Sequence, residues 1–239
     1  MVGLTCVFAF LILLALHGKP YYIGPLYPTL FGVGAFVVER FAYARGTSGT
    51  ILRWSAVAVI VGYGGIFLLP FGIPILPPAR MSSYAHAIGA SEALRTNRGE
   101  MGLLPQDYAD MLGWPEQVAA VARVYQTLPP ADRAQAVIIA ANYGEAGPVD
   151  FFGPRYGLPP AVSTAGTYWF FGPGEKPGTV AVTIGIDSSE LAPFYGEVTT
   201  AARADYPWTV SEERNVPINI ARRPKRTLQQ VWPEMAGRN

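Results

Sequence analysis

Three long apolar runs, separated by short polar connections, make up the first third of the chain. The runs cover residues 2–16, residues 30–38 with an aromatic extension to residue 43, and residues 54–76. A helix needs roughly 20 apolar residues to cross the hydrocarbon core of a bilayer, and each run approaches that length. The pattern therefore predicts about three transmembrane helices within residues 1–79.

Residues 80–239 show the shorter apolar periods of a compact α/β domain. Apolar residues at helical spacing predict a helix over residues 115–128, with Val118, Val121, Ala122 and Tyr125 on one face. The pattern also predicts strands at residues 136–141, 179–186 and 217–221, and helices at residues 191–202 and 228–235. Because strands and helices alternate, we predict a partly parallel sheet with helices on its faces.

Charged side chains are almost absent from the apolar third, whereas the remainder carries a mixed and nearly balanced set. Basic residues are retained on the cytoplasmic side of a membrane, and three arginines flank the second connection. We therefore predict a multi-pass protein of the inner or plasma membrane whose first connection and α/β domain are extracytoplasmic. The charged residues of the apolar third are Lys19, Glu39, Arg40, Arg45 and Arg53.

The first apolar run does not have the layout of a signal peptide. No basic residue precedes it, and no small-x-small cleavage site follows Leu16. We expect it to be a span cut short at its start, so that the chain begins within a longer protein with further transmembrane helices upstream. Glycines recur in the later runs and allow helix backbones to approach closely, which also favours neighbouring helices.

Composition excludes several classes of function. A net charge of +1 and the lack of a long basic run argue against a nucleic-acid partner. Cys6 has no possible intrachain partner, and His17 and His86 are too far apart to suggest a metal site. The sequence identifies no cofactor and no catalytic residue, and it leaves a need for a divalent metal open. The basic cluster Arg222, Arg223, Lys225 and Arg226 is typical of a solvated face.

The stretch ANYGEAGPVDFFGPRYGLP, residues 141–159, directly follows a predicted strand. The carboxyl ends of parallel strands border the ligand crevice of α/β sheets, so we expect a small-ligand site here. A structural interpretation stays open: Asn142 caps a turn, Glu145 favours a helix start, and Phe151 and Phe152 are core residues. The candidate site residues are Asn142, Tyr143, Glu145, Asp150, Arg155 and Tyr156.

Three blocks of the sequence resemble the carboxyl-terminal part of bacterial membrane glycosyltransferases of family 39, the protein O-mannosyltransferase and lipid A aminoarabinose transferase type. They are the loop GKPYYIGPLYP, the proline-rich exit LLPFGIPILPP, and LPQDYADMLGWPEQVAAVARVY followed by NYGEAGPVDFFGPRYGLP. The resemblance covers essentially the whole chain. It implies a multi-span enzyme of the GT-C type that moves a sugar from a polyprenyl-phosphate carrier to an acceptor on the outer face of the membrane.

The resemblance also suggests a role for the loop HGKPYYIGPLYPTL, residues 17–30. Lys19 would pair with the carrier phosphate, while Tyr21, Tyr22 and Tyr27 would donate hydrogen bonds or cover a sugar or prenyl face. Tyrosine and lysine are also common interfacial anchors, so a simple anchoring turn remains the alternative. The family's acidic residue in its first outer loop has no counterpart here, so this chain alone is expected to show no turnover.

Two other functions stay open from the sequence. The first is a membrane-anchored module whose extracytoplasmic domain binds a small solute or glycan. The second is a structural subunit that docks on a separate multi-span partner.

Overall fold

A computed structural model describes residues 2–16, 20–96 and 98–235 of the chain. The chain forms two compact units, Met1–Pro70 and Phe71–Asn239. The predicted boundary after residue 79 would leave the proline-rich exit with the apolar helices, whereas in the structure most of this segment belongs to the second unit. The assignment of the two parts to membrane and extracytoplasmic space stays a prediction.

The first unit consists of apolar helices. Between the first two helices lies the 3₁₀ segment Pro20–Leu26, and the third helix continues through a π-helical stretch, Ile60–Leu68. Gly49 on the third helix packs so closely on the second that a Cβ there would overlap the Ala42 carbonyl. The α-helical segments are α1 (Val2–Ala15), α2 (Tyr27–Tyr43), α3 (Gly46–Val59) and α4 (Leu69–Gly72).

One helix in the described part of the chain is long and apolar enough to cross a membrane. It runs from Gly46 to Gly72 as a continuous 27-residue helix, and only 6% of its most apolar 18-residue window is buried inside the protein. The helix ends at Gly72, just before Pro74, because a proline removes a backbone donor and clashes with the preceding turn of a helix. A shorter apolar helix covers Gly3–Ala15. That three such helices span a membrane stays a prediction.

The second unit begins with helices, and the strands of its sheet come later in the chain. Helix α7 coincides with the helix predicted at residues 115–128, and its Val118, Val121, Ala122 and Tyr125 are all buried in one core, as their spacing predicts. The helices before the sheet are α5 (Pro78–Ala87), α6 (Gln106–Ala109), α7 (Trp114–Thr127) and α8 (Pro130–Gln135).

A five-stranded mixed sheet forms the centre of the second unit, in the order β2-β1-β3-β5-β4. Strand β1 lies parallel to both β2 and β3, whereas β5 is antiparallel to β3 and β4. The predicted partly parallel sheet is therefore confirmed. The remaining elements are β1 (Val137–Ala140), α9 (Tyr143–Phe152), β2 (Ala161–Val162), β3 (Val180–Ile184), α10 (Ser188–Leu191), β4 (Tyr195–Ala204), β5 (Val216–Pro224) and α11 (Leu228–Val231).

The prediction of a helix at residues 191–202 is wrong. Helix α10 ends at Leu191, and Tyr195–Ala204 forms the edge strand β4 along β5. Most side chains of this strand are exposed, so it lacks the alternation of apolar and polar residues that marks a half-buried strand. Cross-strand pairing with β5 and the β-branched run Val198, Thr199 and Thr200 favour the extended conformation instead.

Two apolar cores cover the two faces of the sheet. Helices α7 and α9 pack on one face, with Val121, Ala146 and Val149 against Ile138 and Val182. On the other face Leu191, Leu228 and Trp232 pack against Ile139 and Ala181. The predicted helix at residues 228–235 lies on this second face as α11 and the 3₁₀ turn Trp232–Met235.

Candidate functional site

The carboxyl ends of β1 and β3 form a topological switch point. After β1 the chain enters α9, whose Ala146 and Val149 are buried on one face of the sheet. After the neighbouring parallel strand β3 it enters α10, whose Leu191 is buried on the opposite face. Neighbouring parallel strands that send the chain to opposite faces leave a crevice between their ends, where ligands bind in open α/β sheets.

The first turn of α9 is closed by a capping box. The Gly144 amide donates to Asn142 Oδ1 over 2.5 Å, and the Asn142 amide donates to Glu145 Oε2 over 2.8 Å. These bonds satisfy two of the amides that a helix start leaves without partners. The helix cap that the structural interpretation assigns to Asn142 and Glu145 is therefore observed. This capping box uses only one of the two Glu145 oxygens.

Glu145 is a buried carboxyl group at the crevice. Its side chain is 5% exposed, and burial raises its pKa to about 7, with a further contribution from the charge of Glu213. The neighbouring Gly185 follows β3 with a φ of +79°. A Cβ at position 185 would overlap Glu145 Oε1, so the glycine makes room for this carboxyl group.

Gln117 on α7 contacts Glu213, which lies in the 3₁₀ turn Ser211–Glu213 before β5. Its Nε2 donates to Glu213 Oε2 over 2.8 Å. The residue is 3% exposed, and its Oε1 is buried without a hydrogen-bond partner in the part of the chain that the structure describes. Glu213 itself is half-buried. The sequence does not reveal Gln117 or Glu213 as part of this region, because both lie far from residues 141–159 along the chain.

The other predicted site residues have separate contacts. Asp150 accepts hydrogen bonds from the Ala161 amide over 2.7 Å and from Tyr168 Oη over 2.6 Å, and so fastens β2 to α9. Burial raises the pKa of Tyr168 to about 12, with a further contribution from the hydrogen bond to Asp150 and from the charge of that residue. Arg155 stacks on the Phe152 ring with its guanidinium carbon 4.8 Å from the ring centroid.

Tyr156 and Phe152 pack against the α7–α9 core, whereas Tyr143 is exposed. Phe151, which the structural interpretation placed in the core, is 78% exposed, so that expectation is wrong. It follows Asp150 near the end of α9, where its ring meets Phe152 edge to face. Of the six predicted residues, only Asn142 and Glu145 are joined by a hydrogen bond at the crevice.

A cavity of about 370 Å³ opens on the second face of the sheet. It begins at the ends of β1 and β3 and is lined mainly by apolar and aromatic side chains of α10, β4 and α11. Burial raises the pKa of Tyr195, which lies in its wall, to about 12. The sequence does not reveal this cavity, because the residues that line it have the apolar pattern of ordinary core residues. Members of its wall include Ala141, Gly185, Ile186, Phe194, Tyr195 and Trp232.

The residues predicted to bind a lipid carrier fall partly outside the described residues. This applies to Lys19 and to the side chain of Tyr21. Tyr22 and Tyr27 are about half exposed, and the Tyr27 ring stacks on Phe31 at a centroid distance of 5.9 Å. Their role toward a carrier stays a prediction.

No metal site is found in the described ranges. No group of three or more His, Cys, Asp and Glu side chains within them has the arrangement to hold a metal ion. The basic cluster before α11 is engaged in local contacts: Arg222 with Asp132, Arg223 with Glu197, Lys225 with the Ala192 carbonyl and Arg226 with Glu234.

Comparisons with known proteins find no matching family model, no matching curated protein and no matching solved structure.

Proposed function

We propose that this chain is the carboxyl-terminal part of a membrane glycosyltransferase that transfers a sugar from a polyprenyl-phosphate carrier to an acceptor on the outer face of the membrane. Its resemblance to family 39 supports the reaction. The observation that carries the proposal is the exposed apolar surface of the first unit. In this proposal the helices belong to a larger multi-span body, and the α/β unit helps to place the acceptor.

The first unit exposes large apolar side chains along all three of its helices. Phe8 and Leu11 on α1, Phe31 and Phe36 on α2, and Ile51 on α3 are each between 51% and 72% exposed. Soluble monomers rarely expose contiguous apolar surface on this scale, since contact with water is unfavourable by about 25 cal/mol per Å². Lipid, or further transmembrane helices, would cover this surface, which supports a multi-pass arrangement.

The carrier loop gives the proposal a direct test. Sugar transfer from a polyprenyl-phosphate donor is measured in membranes that contain the complete reading frame to which this chain belongs. We predict that Lys19→Ala raises the apparent KM for the donor by about tenfold, because a charge-assisted hydrogen bond between an ammonium and a phosphate contributes on the order of 1–2 kcal/mol.

Arg53→Ala serves as the control, because Arg53 is a basic residue of the connection predicted on the opposite side of the membrane. An unchanged donor KM in Lys19→Ala would remove the phosphate-pairing role. Absence of sugar transfer by the unmodified protein, with every polyprenyl-phosphate sugar offered, would overturn the proposed reaction.

The cavity favours a second candidate, a membrane-anchored module that binds a small solute or glycan. Its volume of about 370 Å³ lies within the usual range of small-ligand sites, and its aromatic walls suit the face of a sugar ring.

We predict that neutral mono- or disaccharides bind the detergent-solubilised chain and that Ile186→Trp, which fills the cavity, abolishes binding. Ile88→Trp, outside the cavity, should bind normally. Equal binding by both variants would place the ligand elsewhere.

A further inference from the structure

Three side chains at the start of α9 form a cluster whose negative charge has no described counter-ion. Glu145, Glu213 and Gln117 make up this group, which we call the Glu145 cluster. No lysine or arginine in the described ranges forms an ion pair with either carboxylate. The nearby cations are engaged elsewhere, Arg98 with Glu212 at 2.9 Å and Arg214 with Asp205 at 3.7 Å. The cluster therefore lacks positive charge.

The cluster also contains a buried acceptor to which no described group donates. Gln117 uses its Nε2 to reach Glu213, which leaves its buried Oε1 unpartnered within the described part of the chain. A buried acceptor without a partner costs on the order of 1–3 kcal/mol, so such groups are rarely left unfilled. Rotating the amide by half a turn would point its oxygen at the Glu213 carboxylate instead, and the deficit would remain.

The number of available oxygens distinguishes the cations that could fill the cluster. Calcium takes about six to eight oxygen ligands, and magnesium requires near-octahedral geometry. The three side chains offer at most five oxygens, and two of these already accept hydrogen bonds from the Asn142 amide and Gln117. Either metal would therefore need several water ligands beside Glu145 and Gln117, which are almost fully buried. A primary ammonium group has three N–H donors, which match one oxygen from each of the three side chains. Glycine at position 144 leaves room beside the Glu213 carboxylate, because a Cβ there would lie 3.1 Å from Glu213 Oε1.

We propose that Glu145, Glu213 and the Gln117 side-chain oxygen bind the primary ammonium group of a small-molecule ligand. The two carboxylates supply the charge, and the amide oxygen accepts the third hydrogen bond. An ammonium would also relieve the repulsion that contributes to the raised pKa of Glu145. This inference is independent of the proposed sugar transfer, and each can fail without the other.

The test compares three probes that share a butyl chain, titrated by calorimetry at about pH 8 into the full chain in detergent micelles. n-Butylammonium carries charge and three donors, butyltrimethylammonium carries charge alone, and n-butanol carries no charge. We expect n-butylammonium to bind at least about tenfold more tightly than the other two, because charge-assisted hydrogen bonds are the strong ones. Equal affinity for all three probes, or no binding of n-butylammonium, would overturn the proposal.

Glu145→Gln gives the sharpest variant, because glutamine also serves in a capping box and keeps the start of α9 intact. We expect it to weaken n-butylammonium binding by about tenfold or more. Glu213→Gln, on a half-buried side chain outside the capping box, should weaken binding similarly and serves if Glu145→Gln fails to fold.

The control is Glu190→Gln, which changes the corresponding capping-box glutamate of α10 in the wall of the cavity. It should leave n-butylammonium affinity unchanged. Loss of binding in Glu190→Gln, with none in Glu145→Gln, would place the amine in the cavity and overturn the proposal. Calcium binding that Glu145→Gln abolishes would identify a metal site instead and also contradict it.

Discussion

At the scale of single residues, Glu145 combines a capping role with a place at the candidate ligand site, which the sequence suggests as alternatives. One of its oxygens completes the capping box with Asn142, as a glutamate three positions after an N-cap commonly does. The capping signature is local, so it can be found in the string NYGE. The surroundings of the carboxyl group are not local: the fold brings Gly185 against Glu145 Oε1 and the charge of Glu213 close enough to raise its pKa, and no local pattern reveals either residue.

The raised pKa of Glu145 predicts how stability depends on pH. Its pKa is about 7 in the folded chain against an ordinary value of 4.5. Between these pH values the folded chain holds a proton that the unfolded chain has lost, so the free energy of unfolding falls as pH rises. The full shift corresponds to about 3 kcal/mol, which is present below pH 4.5 and lost by pH 7.

Urea unfolding of the α/β unit in the detergent-solubilised chain, followed by tryptophan fluorescence from about pH 4.5 to pH 8, measures this dependence. Glu145→Gln should flatten the curve, because it removes the titrating group. Glu190→Gln, which changes the exposed glutamate of the α10 capping box, serves as the control. Curves for Glu145→Gln and the unmodified chain that run parallel would contradict the assignment.

At the scale of elements, how well the sequence predicts a helix or a strand depends on how many apolar residues that segment buries. Helix α7 and strands β1 and β3 have dense apolar patterns, and all three lie where the sequence predicts them. Strand β4 lies at an edge with exposed side chains, and β2 has only two residues, so neither carries a local signal strong enough to identify it. Their structure depends on pairing with β5 and β1.

The turn after β3 provides a prediction at this scale. Gly185 has a φ of +79°, and an added Cβ would overlap Glu145 Oε1 and lie 2.8 Å from the Ala141 Cβ. Gly185→Ala should therefore lower the free energy of unfolding by about 2–3 kcal/mol, from backbone strain and from displacement of the carboxyl group. Urea unfolding of the solubilised chain measures the change.

Gly147→Ala is the matched control for that variant. Gly147 lies within α9, and an added Cβ there would have no atom within 4 Å. Replacing a helical glycine by alanine should raise the free energy of unfolding by about 0.5–1 kcal/mol. A Gly185→Ala variant as stable as Gly147→Ala would show that the turn tolerates a side chain, and that Glu145 is not held as the structure indicates.

At the scale of the whole molecule, the two parts of the chain have surfaces suited to different solvents. The Gly46–Gly72 helix is mostly apolar and yet hardly buried, whereas the α/β unit buries its apolar residues in two cores. Hydropathy and charge distribution alone predict this division, because both are properties of composition. The cavity and the Glu145 cluster lie beyond such prediction, since each is assembled from segments far apart in sequence.

Both proposed functions require the α/β unit to be extracytoplasmic, and labelling of single cysteines in intact cells tests that requirement most directly. In a Cys6→Ala background, the exposed positions Ser189 on α10 and Thr47 at the start of α3 are each replaced by cysteine. A membrane-impermeant maleimide should label Ser189→Cys in intact cells, and Thr47→Cys only after the membrane is opened. Labelling of Thr47→Cys alone in intact cells, with Ser189→Cys protected, would contradict the account.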